Sequence, residues 1–185
     1  MRFGMSDLSG LVVIEAESRH DARGSFARLF CPREFAEAGV DFAPTQVNLS
    51  RNIHSGTLRG MHFQAAPFAE AKLVRCTSGA IFDVALDLRP ESPTYLQWRG
   101  FELSRDNGRA LLVPTGFAHG FLTLRPESDV LYQMSRLYVP GHDLGVRFDD
   151  PAFKIIWPFA PGHINARDAA WPEYHPIKAA TSAAP

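Results

Sequence analysis

The stretch AIFDVALDL, residues 80–88, limits most sharply what this chain can fold into. Phe82, Val84, Leu86 and Leu88 alternate with Ile81, Asp83, Ala85 and Asp87, a period of two that suits a strand. The second face mixes apolar groups with carboxylates, so Asp83 and Asp87 need solvent or bonded partners. Similar short runs, broken by Gly, Pro, Asn and Asp, recur at LVVIEA (11–16), SFARLF (25–30), TQVNLS (45–50), LRGMHFQ (58–64) and KLVRCTS (72–78). They continue at WRGFELS (98–104), ALLV (110–113), HGFLTL (119–124) and VLYQMSRLYV (130–139). This spacing predicts an all-β chain. One helix is expected at PREFAEAG, where Pro32 suits the first turn, Glu34 the N-terminus and Gly39 a left-handed cap. The Asn-Gly pair in SRDNG (104–108) predicts a strand-to-strand turn. Residues 150–158 are expected to pack as a short helix or coil over the barrel.

No repeat, linker or change of composition divides the chain, so a single domain is expected over 1–185, with 178–185 a frayed tail. About ten short strands in one domain predict a double-sheet jelly roll or related barrel with short peripheral helices. A chain of 185 residues with 45% hydrophobic content can bury one sizeable core. The formal net charge of −1, with both signs interspersed, argues against nucleic acid or an acidic membrane surface as partner. Cys31 and Cys76 are far apart and predict free thiols in a reducing compartment. The N-terminus has no signal-peptide pattern, and no stretch reaches the ~18 apolar residues of a membrane span. A cytoplasmic protein is expected.

TLRGMHFQ (57–64) places Arg59 and His62 in a strand-like run, where His62 could be a solvated residue, a metal ligand or a base. VPTGFAHGF (113–121) carries a P-x-G-x-x-H pattern that would deliver His119 inward. These half-motifs resemble the cupin superfamily. Metal-binding cupins use an H-x-H pair, a downstream glutamate and a later histidine; here they read His62-Phe63-Gln64, Glu70 and His119. Residues 62 and 64 share a strand face, but a neutral Gln is a poor transition-metal ligand, so no metal is expected. Arg59, Lys72 and Arg23, if gathered at one barrel mouth, would form a cationic pocket for a diphosphate.

With DARG (21–24), QVNLS (46–50), AKLVR (71–75), FDVALDLR (82–89), SPTY (92–95), the VLYQ tyrosine, DDP (149–151), IIWP (155–158) and NARD (165–168), the ordered set resembles the dTDP-4-dehydrorhamnose 3,5-epimerase family. The resemblance spans about 21–168 and implies a cupin-type jelly roll, no cofactor, a nucleotide-diphosphate-sugar substrate and a homodimer with exchanged strands. It implies inversion of C3, C5 or both in a 4-keto-6-deoxyhexose. By motif position His62 is the implied base, Asp168 its carboxylate partner, Tyr132 the acid on the opposite face and Lys72 the cation at the keto oxygen. Arg23 and Arg59 are implied at the diphosphate, and Gln46, Asn48 and Gln64 at the nucleotide and sugar. His119 is implied as a supporting hydrogen-bonding group of the pocket, and Tyr138 as the ring that stacks on the base. Arg28 departs from the pattern, standing where the family carries a glutamate that accepts from thymine. An arginine only donates, which raises cytosine, with its O2 and N3 acceptors, as an alternative base. Phe148-Asp149-Asp150 and NARD also differ from the usual runs, although both aspartates remain. A metal-dependent cupin enzyme and a non-catalytic sugar-nucleotide-binding protein are the competing classes.

Overall fold

The computed structural model describes residues 1–175; the expected frayed tail, 178–185, lies outside them. The strands are β1 (Arg2–Met5), β2 (Val12–Glu15), β3 (Arg19–Asp21), β4 (Gly24–Phe26), β5 (Gln46–Asn52), β6 (Thr57–Gln64) and β7 (Lys72–Ser78). They continue as β8 (Ala80–Asp87), β9 (Trp98–Ser104), β10 (Arg109–Val113), β11 (Phe117–Thr123), β12 (Ser128–Met134), β13 (Asp143–Gly145) and β14 (His163–Ile164). Two short helices, α1 (Pro32–Glu37) and α2 (Ala166–Ala169), complete the described chain. One sheet runs β1-β2-β10-β7-β12-β5, and the other runs β13-β6-β11-β8-β9 with β14 added to β6. The architecture is a cupin-type jelly roll.

Hydrophobic burial on both faces of each sheet accounts for the dense apolar runs. Between the sheets, Val74, Cys76, Ile81, Ala85, Leu103, Leu111, Phe121 and Val130 form the central core. Outside the first sheet, Phe35 of α1 and Phe42 cover Val12, Ile14, Leu73 and Leu112. Outside the second, Phe153 and Val146 cover Met61, Val84, Leu86 and Ala118, so residues 150–158 lie over the barrel as turn and coil. Alternation along β8 therefore sends Val84 and Leu86 outward and Ile81 and Ala85 inward. Asp83 and Asp87 are fully buried and bonded: Asp83 to His119, and Asp87 to Arg89, Ser92 and Thr94.

Two expected strands are shorter than their patterns. In SFARLF the strand stops at Phe26, in an exposed β3–β4 hairpin. The chain then leaves extended pairing so that Phe30 can meet Phe35 edge-on at 4.9 Å, while Arg75 donates to the Leu29 carbonyl. In VLYQMSRLYV the strand stops at Met134. Beyond it, side-chain amides take the backbone N–H groups: Gln46 accepts from Tyr138 and Gln64 from Val139. Strands β1, β3, β13 and β14 and helix α2 are absent from the sequence reading. Each has four residues or fewer, too short to show a period.

Candidate active site

At the barrel mouth a cavity of about 170 Å³ is lined by Arg59, His62, Lys72, His119, Phe121, Tyr132, Met134, Asn165 and Asp168. A larger apolar groove, about 1200 Å³, runs past residues 38–45, 66–71 and 135–139, but its only ionisable side chains are Asp41 and Arg136. The chemistry therefore lies in the smaller cavity.

His62 comes from the centre of β6, whose neighbours Met61 and Phe63 face the outer core. It stands directly across from His119 of β11. The two strands approach closely at Gly60 and Gly120: a Cβ on Gly60 would fall 2.5 Å from the Gly120 Cα, and the Gly60 φ of 141° lies in a region L side chains rarely adopt. Parallel pairing of β14 with β6 brings up α2. Asn165 caps that helix, its Oδ1 accepting from the Asp168 N–H at 2.7 Å, and the cap turns the Asp168 side chain inward.

Asp168 is almost fully buried and its Oδ1 lies 2.7 Å from Nε2 of His62. Its Oδ2 accepts from the Gly60 N–H at 3.2 Å. Burial works to raise the carboxyl's pKa, but the bond to His62, the charges of His62 and Arg167 and the Gly60 N–H hold it below the ordinary aspartate value. An ionised Asp168 accepts the Nε2 proton and leaves the Nδ1 lone pair as the basic site of the ring. Tyr132, on β12 opposite Asn48 of β5, and Lys72, at the start of β7, complete the wall. Lys72 donates to the His62 carbonyl at 3.0 Å and pairs with Glu70 at 3.1 Å. Burial pushes its ammonium below the usual lysine range, against the opposing pull of Glu70 and Asp83. His119 bonds Asp83 at 2.8 Å, and Arg59 donates to Asn52 at 2.8 Å.

Six of the twelve residues singled out in the sequence thus line one cavity: His62, Asp168, Tyr132, Lys72, Arg59 and His119. Six others lie elsewhere. Asn48 accepts from Gln46 beside the Tyr132 strand. Gln64 shares the His62 face but bonds Phe68, Leu137 and Val139, joining two loops instead of lining the cavity. Tyr138 is exposed, with its hydroxyl on Asp143. Arg23 projects from the hairpin and pairs with Asp21, and Arg28 pairs with Glu34 of α1 at 2.6 Å. Among the described residues no group of three His, Cys, Asp or Glu side chains is arranged to hold a metal ion. Of the H-x-H-like set, Gln64 faces loop backbone and Glu70 faces Lys72. The sequence reading missed Asn165 and Asp83 as supports of the site. An Asn three residues before an Asp is a visible capping signal, whereas the Asp83–His119 bond depends on strand register.

Residues 5–175 match the family model described as dTDP-4-dehydrorhamnose 3,5-epimerase. A dTDP-4-dehydrorhamnose 3,5-epimerase from Sinorhizobium fredii is 42% identical over 173 residues, covering 93% of this chain and 89% of the relative. The crystal structure of the Bacillus anthracis epimerase with TDP and pyrophosphate bound superposes with a TM-score of 0.91 at 39% identity, covering 94% of this chain and 99% of that one. A Legionella pneumophila epimerase in complex with dTDP-4-keto-L-rhamnose superposes with a TM-score of 0.86 at 33% identity, covering 94% and 98%.

Proposed function

Because the chain belongs to the dTDP-4-dehydrorhamnose 3,5-epimerase family, we propose that it is an isomerase that inverts C3 and C5 of dTDP-4-dehydro-6-deoxyglucose to give dTDP-4-dehydrorhamnose. The observation that carries this reading is the His62–Asp168 pair sharing one small cavity with Tyr132 and Lys72. The 4-keto group acidifies the C3 and C5 protons, since the carbanion left behind is an enolate. His62 takes one such proton through its free ring nitrogen, and the buried Asp168 stabilises the imidazolium that results. Charge develops on the keto oxygen, where the buried Lys72 ammonium meets it. Tyr132 gives its phenolic proton to the opposite face of the carbon and is left as phenolate. The proton held by His62 then returns to Tyr132 by way of solvent, and both groups are reset. No electron leaves the sugar, so the sequence of steps needs no redox partner.

Thymine is the base favoured here. The Arg28 guanidinium pairs through Nη1 with Glu34 of its own chain, which weakens the case for cytosine contacts. A homodimer fits the surface: edge strand β5 exposes Val47 and Leu49, and the hairpin bearing Arg23 and Phe26 stands away from its own barrel. An edge of that kind is a template for a second copy, whose hairpin would bring Arg23 to a neighbouring site. Free Cys31 and Cys76 suit a cytoplasmic location, and no helix among the described residues is long and apolar enough to cross a membrane.

The test is proton NMR of dTDP-4-dehydro-6-deoxyglucose in deuterated water with catalytic protein. Loss of both the C3 and C5 proton signals, abolished by His62→Ala, is expected. Exchange that persists in His62→Ala removes this residue from the base role, and exchange at one centre alone restricts the protein to single epimerisation.

A further inference from the structure

Glu70 takes no part in the chemistry above, yet it is one of the more costly groups in the fold. It lies two residues before Lys72, with its side chain 2% exposed. Oε1 sits 3.1 Å from the Lys72 ammonium, while the buried Oε2 has no hydrogen-bond partner among the described residues. A half-satisfied buried carboxylate is disfavoured unless its single strong contact matters. Lys72 has three N–H donors. Glu70 and the His62 carbonyl account for two, and the remaining one is left for the cavity beside Tyr132 and His119. The charged or titratable groups around this ammonium are Glu70, Arg59 and His62 of β6, Asp83 of β8, His119 of β11, Tyr132 of β12 and Asp168 of α2. Only Glu70 and Asp83 oppose the effect of burial on Lys72, and Asp83 already has an oxygen on His119. Glu70 is thus the carboxylate in direct contact with the cation.

We propose that Glu70 is a positioning residue for this site, holding Lys72 as an ammonium and turning its free N–H toward the oxygen that becomes the enolate. The inference rests on the epimerase reading and assigns Glu70 no contact with substrate. Its function is electrostatic. Burial alone drives a lysine to release its proton, and an adjacent carboxylate opposes that tendency. Glu70→Gln keeps the shape and an acceptor oxygen but removes the charge.

The test is a pH titration of the full chain labelled with 15N at lysine Nζ, followed by NMR. Lys72, Lys154 and Lys178 are the only lysines, and Lys72→Arg assigns the signal. In Glu70→Gln the Lys72 midpoint is expected to fall by about 1 unit or more, the scale of losing an opposite charge in contact. The alkaline limb of the kcat profile should fall with it, while KM for the nucleotide sugar changes little. An unmoved midpoint in folded Glu70→Gln overturns the proposal, as does a midpoint that falls without moving the alkaline limb. If Glu70→Gln does not fold, Glu70→Asp, which draws the charge back, should give a smaller fall in midpoint and kcat. A Glu70→Asp protein matching wild type in both overturns the proposal. The titration reads the resting protein, so its outcome is separate from failure of the epimerase reading, which would show as no C–H exchange in the wild type.

Discussion

Asp168→Asn isolates the carboxylate's contribution with little change of shape. The backbone contact that caps α2 uses the residue 168 N–H, which the substitution leaves in place. The side chain, however, has two fixed neighbours: the Gly60 N–H, which can only donate, and Nε2 of His62. An asparagine here must turn its oxygen to Gly60 and its NH2 to His62. Nε2 then accepts, the imidazole carries its proton on Nδ1, and the ring loses the lone pair that should meet the sugar. Loss of a general base costs about 10²–10⁴ in rate. The charge-assisted bond that would stabilise the imidazolium is worth about 1.5–3 kcal/mol, or roughly 10–150-fold. These effects share one residue and overlap, so kcat is expected to fall by about 10³-fold. The assay is the initial rate of C3 and C5 deuterium incorporation by NMR, with thermal unfolding measured in parallel. A folded Asp168→Asn protein that exchanges within about tenfold of wild type would refute the tautomer argument, because the required base would then be active without its carboxylate.

Tyr132→Phe should lower epimer formation by about 10²-fold or more while deuterium still enters the substrate with retained configuration, since His62 can return a proton to the face it came from; equal loss of both signals would count against Tyr132 as the opposite-face acid. Burial acts to raise the Asp87 carboxyl's pKa, but Arg89, Ser92 and Thr94 bring it down to about 2. A folded value below the unfolded one contributes stability that is present above about pH 4 and lost as pH falls toward 2, so Asp87→Asn should cost about 2 kcal/mol at neutral pH, with a gap that narrows in acid. Urea unfolding from pH 7 to pH 2 tests this, and a constant gap contradicts it. Gly60→Ala places a methyl 2.5 Å from the Gly120 backbone at a φ of 141°, so a loss of roughly 2–4 kcal/mol and displacement of His62 are expected; near-wild-type stability and activity would show that the β6–β11 approach can relax.

The site was only partly legible before folding, and the division follows the range of the forces involved. AIFDVALDL announced β8 because alternation needs only neighbouring residues, and PREFAEAG announced α1 through Pro32 and Gly39. SFARLF and VLYQMSRLYV carried the same local pattern and still stopped at Phe26 and Met134. Phe30 gained an aromatic neighbour, and the amides of Gln46 and Gln64 captured the next N–H groups. Those competitors come from distant parts of the chain, so a window of neighbours cannot weigh them. The same limit explains Gln64, whose place in an H-x-H-like motif suggested the pocket while its actual partners lie on two loops.

By itself, the sequence determined the strand-rich class, helix α1, the Asn-Gly turn and, through its ordered motifs, the residue types on which an epimerase would depend. The tertiary structure alone decided which of them meet. His62 and Asp168 are 106 positions apart and come within 2.7 Å only because β14 pairs with β6 and Asn165 caps α2. In the sequence Glu70 only occupies the glutamate position of the metal-binding cupin pattern, whereas in the fold it is the counter-charge of Lys72. Periodicity and turn chemistry are set between neighbours in the chain, whereas the charge and proton state of a buried group are set by whatever the closed barrel places against it.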